Sequence, residues 1–192
     1  MEDYSILHSY FEKINEQQLT DDEKAEITRV FRKETFKKKE LIMLAGESNT
    51  RHYYIEKGLL RLYIIDQNGK EFNVHFAKEC QWLGDLGTPA PTSYYMDAIE
   101  KSSVFSIDEE SFSKLSERYV SLAKHIRRSY VFLQKRYVSI LSKTAEENYE
   151  DLVLQNPDLI QRLPQYHISS YLGVTPVFLS KILAKRTNKN AK

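Results

Sequence analysis

The spacing of apolar residues changes several times along the chain. Leu7, Tyr10, Phe11 and Ile14 recur at steps of three and four, which predicts one face of a helix within residues 3 to about 32. Thr20 opens the run Thr-Asp-Asp-Glu, with its threonine and Glu23 three residues apart as in a capping box, so a second short helix containing Ile27, Val30 and Phe31 follows. From about Glu34 to Ile107 the pattern becomes that of short strands. Tyr53-Tyr54-Ile55 and Leu59 to Ile65 are broken by Gly58, and Asp66-Gln67-Asn68-Gly69-Lys70 reads as a hairpin turn. Phe72, Val74 and Phe76 alternate with Asn73, His75 and Ala77, so the first set is expected to face inward and His75 to lie on the surface. Turns at such short intervals predict a sandwich or barrel rather than βαβ units.

Glu109 to about Lys143 reads as one long helix. Leu115, Tyr119, Leu122, Ile126, Tyr130, Leu133, Tyr137 and Ile140 recur close to a heptad seam with one extra residue. A stripe of this kind more often packs within its own chain. Its length, set against the small β region, favours a dimer seam, with Arg127, Arg128, Lys135 and Arg136 on its flanks.

Gln165 to Arg186 reads as a helix-turn-helix. Ile168 and Leu172 form an apolar face, Gly173 permits a sharp turn, and Thr175-Pro176 restarts a helix that carries Leu179 and Ile182. Such a motif can place its second helix in the major groove of DNA, although an ordinary helical hairpin has the same spacing. Charge separates the two readings. The chain has 28 basic and 27 acidic residues, yet from Pro157 onward there are six basic residues against one acid, Asp158. Lys181, Lys185 and Arg186 fall on the second helix, where a basic face suits a phosphate backbone.

Other chemistry is sparse. Cys80 is the single cysteine, expected to be a small buried residue beside Trp82, and it fits a reducing cytoplasm. The five histidines show no metal-ligand spacing, and P-loop, dinucleotide-binding and nucleophile-elbow patterns are missing. No catalytic residue, metal site or cofactor is expected. No apolar run approaches the roughly 20 residues of a membrane span, and MEDYSILHSYFEKI is too charged for a secretory signal.

Several stretches resemble the Crp/Fnr family of bacterial transcription regulators over nearly the full length, especially its Bacteroidetes branch. They are Thr144-Ala145-Glu146-Glu147-Asn148-Tyr149, Asn156-Pro157-Asp158-Leu159, and Leu163 through Pro176. Leu179-Ser180-Lys181-Ile182 matches the family's Leu-Ser-Arg-Ile with lysine for arginine. Gly58-Leu59-Leu60-Arg61-Leu62-Tyr63 resembles its glycine-led strand, and Gly84-Asp85-Leu86-Gly87 the start of its phosphate-binding cassette. The resemblance implies an α+β chain in three parts. Residues 1–108 would form N-terminal helices and a cyclic-nucleotide-binding-type β-roll, a jelly-roll barrel. Residues 109–143 would form a long central dimerisation helix, and residues 144–192 a DNA-binding helix-turn-helix with a reduced wing. Thr144 is a candidate hinge. The implied partners are double-stranded DNA, a second copy of the chain as a homodimer and, as a candidate, RNA polymerase, in the cytoplasm and away from membranes.

Two departures qualify that picture. Nucleotide-binding members hold the cyclic phosphate with an arginine and a neighbouring serine, but no Arg or Lys lies between Gly84 and Ala98, and the arginine position aligns with Thr92 beside Ser93. Gly84, Asp85, Thr92, Ser93 and Tyr137 are therefore candidate pocket residues for an unknown effector other than cAMP or cGMP. Pro89 and Pro91 mark a rigid loop. In the reading helix, Val177 stands where the branch usually has a cytosine-reading Glu, and it suits a thymine methyl instead. Alternatively, Val177 and Phe178 cover a neighbouring helix. Lys181 is the candidate guanine contact; Gln165, Thr175, Ser180, Lys185 and Arg186 suit phosphates, and Pro176 starts the helix. Two rival functions stay open. One is a nucleotide-gated activator with its arginine replaced by Arg61 or Arg136. The other is a dimeric ligand- or protein-binding module with a degenerate helix-turn-helix.

Overall fold

The computed structural model describes residues 3–48, 51–85 and 91–190, so Leu86, Gly87 and Pro89 of the expected cassette lie outside the described residues. Helices α1 (Ser5–Asn15) and α2 (Asp21–Val30) precede strands β1 (Arg32–Phe36), β2 (Leu41–Met43), β3 (Arg51–Lys57), β4 (Leu60–Ile65), β5 (Glu71–Ala77), β6 (Trp82–Leu83), β7 (Tyr95–Ala98) and β8 (Ser102–Asp108). Helices α3 (Glu109–Arg118), α4 (Val120–Ser142), α5 (Ala145–Gln155), α6 (Pro157–Arg162), α7 (Gln165–Tyr171) and α8 (Pro176–Asn190) follow. The strands form two four-stranded sheets, ordered β1-β8-β3-β6 and β2-β7-β4-β5, as a β-roll requires. The chain divides into two compact units. One comprises residues up to 64 together with 75–129; the other comprises 65–74 together with 130 onward.

In the first unit, Met43, Tyr53, Ile55, Leu60, Met96 and Val104 fill the inner core of the roll. A second core joins the N-terminal helices to the outer face of β3 and β8 through Leu7, Phe11, Ile27, Tyr54, Phe105 and Phe112. The expected capping box is present: Thr20 Oγ1 accepts from the Glu23 amide, and the Glu23 carboxylate accepts from the Thr20 amide at 2.8 Å. The hairpin turn is closed by Asp66, whose carboxylate accepts from the amides of Asn68 and Lys70, while Gly69 takes φ +78.

The expected single helix over 109–143 is broken. Tyr119 leaves the helical region at φ −106, ψ 82, which ends α3 before α4 begins. Leu115, Tyr119 and Leu122, expected in a dimer seam, are instead 3, 7 and 0% exposed within the core of their own chain. The N-terminal helices supply the missing surface, with the ring of Phe11 5.4 Å from that of Tyr119. Cys80 is also corrected. It is exposed, at the positive-φ position (+63) of the turn before β6. In β5, Asn73 is buried although its alternation placed it outward, and His75 is half-buried rather than on the surface.

Candidate nucleic-acid interface and cassette

The second unit is built around α7 and α8. Ile168, Leu172, Leu179 and Ile182 are all buried, so the two helices share the small core that their spacing predicts. Gly173 adopts φ +71, which lets the Val174 amide reach back to the Ser169 carbonyl at 2.9 Å and the chain reverse. A Cβ there would meet nothing, so the positive φ alone calls for glycine. Thr175 Oγ1 then accepts from the Phe178 amide at 3.2 Å, and Pro176 is the first residue of α8.

Burying Leu179 and Ile182 turns the opposite face of α8 outward. Val177, Lys181 and Lys185 follow at steps of four and are all exposed, with Val177 at 68%. The other expected contacts are less available. The Ser180 hydroxyl donates to the Pro176 carbonyl at 3.0 Å, and the Thr175 oxygen accepts from the cap amide, which leaves its hydrogen to donate. Arg186 lies over the Tyr149 ring of α5, 5.7 Å from its centroid, and Lys185 reaches Glu146 at 3.5 Å on the surface. Gln165 is exposed at the start of α7. Phe178 is 48% exposed, so it is not absorbed by a neighbouring helix of the chain. No strand follows α4 among the described residues, as a reduced wing implies.

Nothing in the local sequence signals what braces α7. Ser170 Oγ donates to the Glu71 carbonyl at 2.9 Å and accepts from the Asn73 amide at 3.0 Å. Asn73 Nδ2 donates to the His167 carbonyl at 2.9 Å. Arg136 of α4, expected on a solvated flank, is half-buried; it donates to the carbonyls of Val74 (2.9 Å) and Tyr171 (2.5 Å) and stacks on the Tyr171 ring. Burial lowers the pKa of this guanidinium below its ordinary value and raises that of the Tyr171 phenol. At the start of α5, Thr144 and Glu147 form a second capping box, and those hydrogen bonds hold the Glu147 carboxyl below its ordinary 4.5.

In the first unit, Thr92 is buried and its Oγ1 donates to Asp85 Oδ2 at 2.6 Å, while Ser93 is exposed. Gly84 passes so close to His52 that a Cβ would lie 2.9 Å from its Nδ1. Arg61 forks onto Asp97, Nε to Oδ1 at 2.9 Å and Nη2 to Oδ2 at 2.6 Å, and is buried over the Tyr63 ring. The described cassette thus presents a carboxylate and hydroxyls, with Arg61 already paired. Along α4, Tyr130, Tyr137 and Ile140 are exposed, as are Val138 and Leu141 beside them, whereas Ile126 packs on the core of the first unit. Among the described residues, no group of three or more His, Cys, Asp or Glu could hold a metal, and no helix is long and apolar enough to cross a membrane.

This combination defines a class: a cyclic nucleotide-binding-type β-roll, matched to the cyclic nucleotide-binding domain family over residues 33–119, followed by a helix-turn-helix. The fold is that of the Crp/Fnr transcription regulators. FixK2 from Bradyrhizobium japonicum is similar at a TM-score of 0.73 and 19% identity, over 84% of this chain and 86% of that one. A CooA variant from Carboxydothermus hydrogenoformans matches at 0.73 and 17%, over 93% and 84%. A Crp/Fnr-family transcriptional regulator from Thermus thermophilus matches at 0.68 and 15%, over 82% and 87%. No curated protein matches the chain.

Proposed function

We propose that the protein is a cytoplasmic, homodimeric, DNA-binding transcription regulator of the Crp/Fnr type, without enzymatic activity and not gated by cAMP or cGMP. One observation carries the DNA reading: on a helix whose opposite side is buried, Val177, Lys181 and Lys185 share an exposed face. Lys181 is the base-reading cation, and Val177 contacts a thymine methyl. Gln165, Thr175, Lys185 and Arg186 position the duplex through phosphates, whereas Ser180 would first have to release the Pro176 carbonyl. The exposed apolar residues of α4 support self-association, which would set two reading helices on half-sites about 34–36 Å apart. RNA polymerase is the candidate further partner. The cassette favours independence from cyclic nucleotides, since Asp85 would repel a cyclic phosphate and no basic side chain lies between Gly84 and Ala98.

Selection of bound duplexes from a random pool, with purified protein and no added ligand, tests this reading. A two-fold symmetric motif is the expected result. Recovery of nothing above background would favour the second reading, a dimeric ligand- or protein-binding module, for which the exposed Val177 and Phe178 are the specific observation. Calorimetric titration with cAMP and cGMP is expected to show no binding; micromolar affinity would restore a nucleotide-gated activator.

A further inference from the structure

Away from the cassette, the first unit contains an open cavity of about 710 Å3 between α1, β3, the turn carrying Cys80 and the first turns of α4. Its apolar side is formed by Ile6, Tyr10, Ile14 and Tyr54. Tyr10 and Tyr54 are fixed in the core with ring centroids 4.6 Å apart, so this wall is preformed. Three cations line the same space: Lys13 from the last turn of α1, and Lys124 and Arg128 from α4.

The pairing of these cations is unlike that of many others in the unit. Lys24, Lys33, Arg51, Arg61, Lys114 and Arg118 each form a salt bridge with a carboxylate. Among the described residues Lys13, Lys124 and Arg128 form none. Lys124 and Arg128 are also four residues apart on one helix face, where like charges repel. Glu16 is the single carboxylate of the lining, so the charged side chains leave a net +2. An anion would relieve that repulsion, and Arg128 could grip a carboxylate with two parallel hydrogen bonds. The volume lies within the roughly 300–1,000 Å3 of small-molecule sites, which commonly combine an apolar wall with a few directed polar groups.

We propose that this cavity binds a small anionic amphiphile, with its aliphatic or aromatic body against Tyr10, Tyr54, Ile6 and Ile14 and its acidic head between Lys13, Lys124 and Arg128. Such a ligand would tie α1 to the start of α4. That its occupancy tunes DNA binding rests on the regulator reading above.

Trp82, the single tryptophan, provides the readout. Its Nε1 donates to Tyr10 Oη at 2.8 Å, and its ring centroid is 5.4 Å from that of Tyr54. The full chain would be titrated with decanoate, and in parallel with decanol and decyltrimethylammonium, all below micelle-forming concentrations, while tryptophan emission is followed. A saturable change with decanoate alone is expected. In a Lys124→Glu/Arg128→Glu variant its affinity should fall about tenfold or more, the loss of about 1.4 kcal/mol of head-group contact. Ser9→Phe, which keeps the charges but fills the space, should abolish the response, with circular dichroism confirming that each variant is folded. The proposal is overturned by a missing saturable response, by equal responses to the neutral and cationic analogues, or by indifference to charge reversal. The titration contains no DNA, so it fails or succeeds independently of the duplex selection that tests the regulator.

Discussion

Asn73 Nδ2 donates to the main-chain carbonyl of His167 at 2.9 Å, a bond that spans 94 residues of sequence and is buried at both ends. With the Ser170 bonds to Glu71 and Asn73, it makes the 65–74 hairpin part of the same compact unit as the helix-turn-helix. The first helix of the motif is only seven residues long, too short to be stable alone in water. Asn73→Ala removes the donor and leaves a buried carbonyl short of a partner, at an expected cost of about 1–3 kcal/mol. Hydrogen exchange should read that loss locally, as faster exchange across residues 165–172 with little change in β3 or β8. Uniformly unchanged exchange would mean that the hairpin contact adds nothing to the stability of α7.

Lys181→Ala should relax sequence preference more than it weakens binding to random DNA. A bidentate contact to a guanine edge is worth roughly 1–3 kcal/mol of discrimination, whereas a phosphate contact carries no sequence information. Binding to a selected site and to random duplex, measured at several salt concentrations, separates these roles. The overall salt dependence should be steep, and the slope should change most on removing Lys185, the exposed lysine one turn further along α8. Equal losses on both duplexes for Lys181→Ala would reduce that residue to a backbone contact.

Local signals in the sequence were reliable where the physics is local. Thr20, Gly69, Gly173 and Pro176 each do what their chemistry and spacing predict, because caps and turns are decided within four residues. Positions decided by distant partners were not legible. The heptad-like spacing of Leu115, Tyr119 and Leu122 is the same whether they meet a second chain or α1, and only the fold shows that they meet α1. Arg136 looked like any flanking cation, since nothing within four residues announces the carbonyls of Val74 and Tyr171. In the cassette, the lack of a basic residue was plain from the sequence. The pairing of Arg61 with Asp97 was not, because it joins β4 to β7 across 36 residues.

That division of the stripe predicts two different phenotypes along one run of helix. Leu122 is fully buried within its own chain, so Leu122→Ala should lower stability by about 2–5 kcal/mol and leave the sedimentation behaviour of the folded fraction unchanged. Leu141 is 69% exposed, so Leu141→Glu should leave the melting temperature of a dilute sample nearly unaltered while shifting the sedimentation equilibrium toward monomer. An unchanged monomer–dimer balance would remove the C-terminal half of α4 from the association surface.

The two capping boxes make helix starts in both units sensitive to acid. The Thr20 and Thr144 hydrogen bonds hold Glu23 and Glu147 below the ordinary 4.5, so each carboxylate binds its proton less readily in the folded chain than in the unfolded one. Stability from a depressed carboxylate is present above the unfolded value and is lost as pH falls through the folded one. Both boxes should therefore be intact at pH 7 and fail below about pH 4.5, where the unfolded chain takes up protons first. Thermal melts from pH 7 down to pH 3 should show a falling melting temperature in the wild-type chain. The double variant Glu23→Gln/Glu147→Gln keeps a side chain able to accept from the cap amides but does not titrate, and it should show a shallower decline at a slightly lower starting point. If wild type and variant decline in parallel, the acid sensitivity belongs to other carboxylates, of which Asp66 and Asp108, held low by turn and cap amides, are the next to replace.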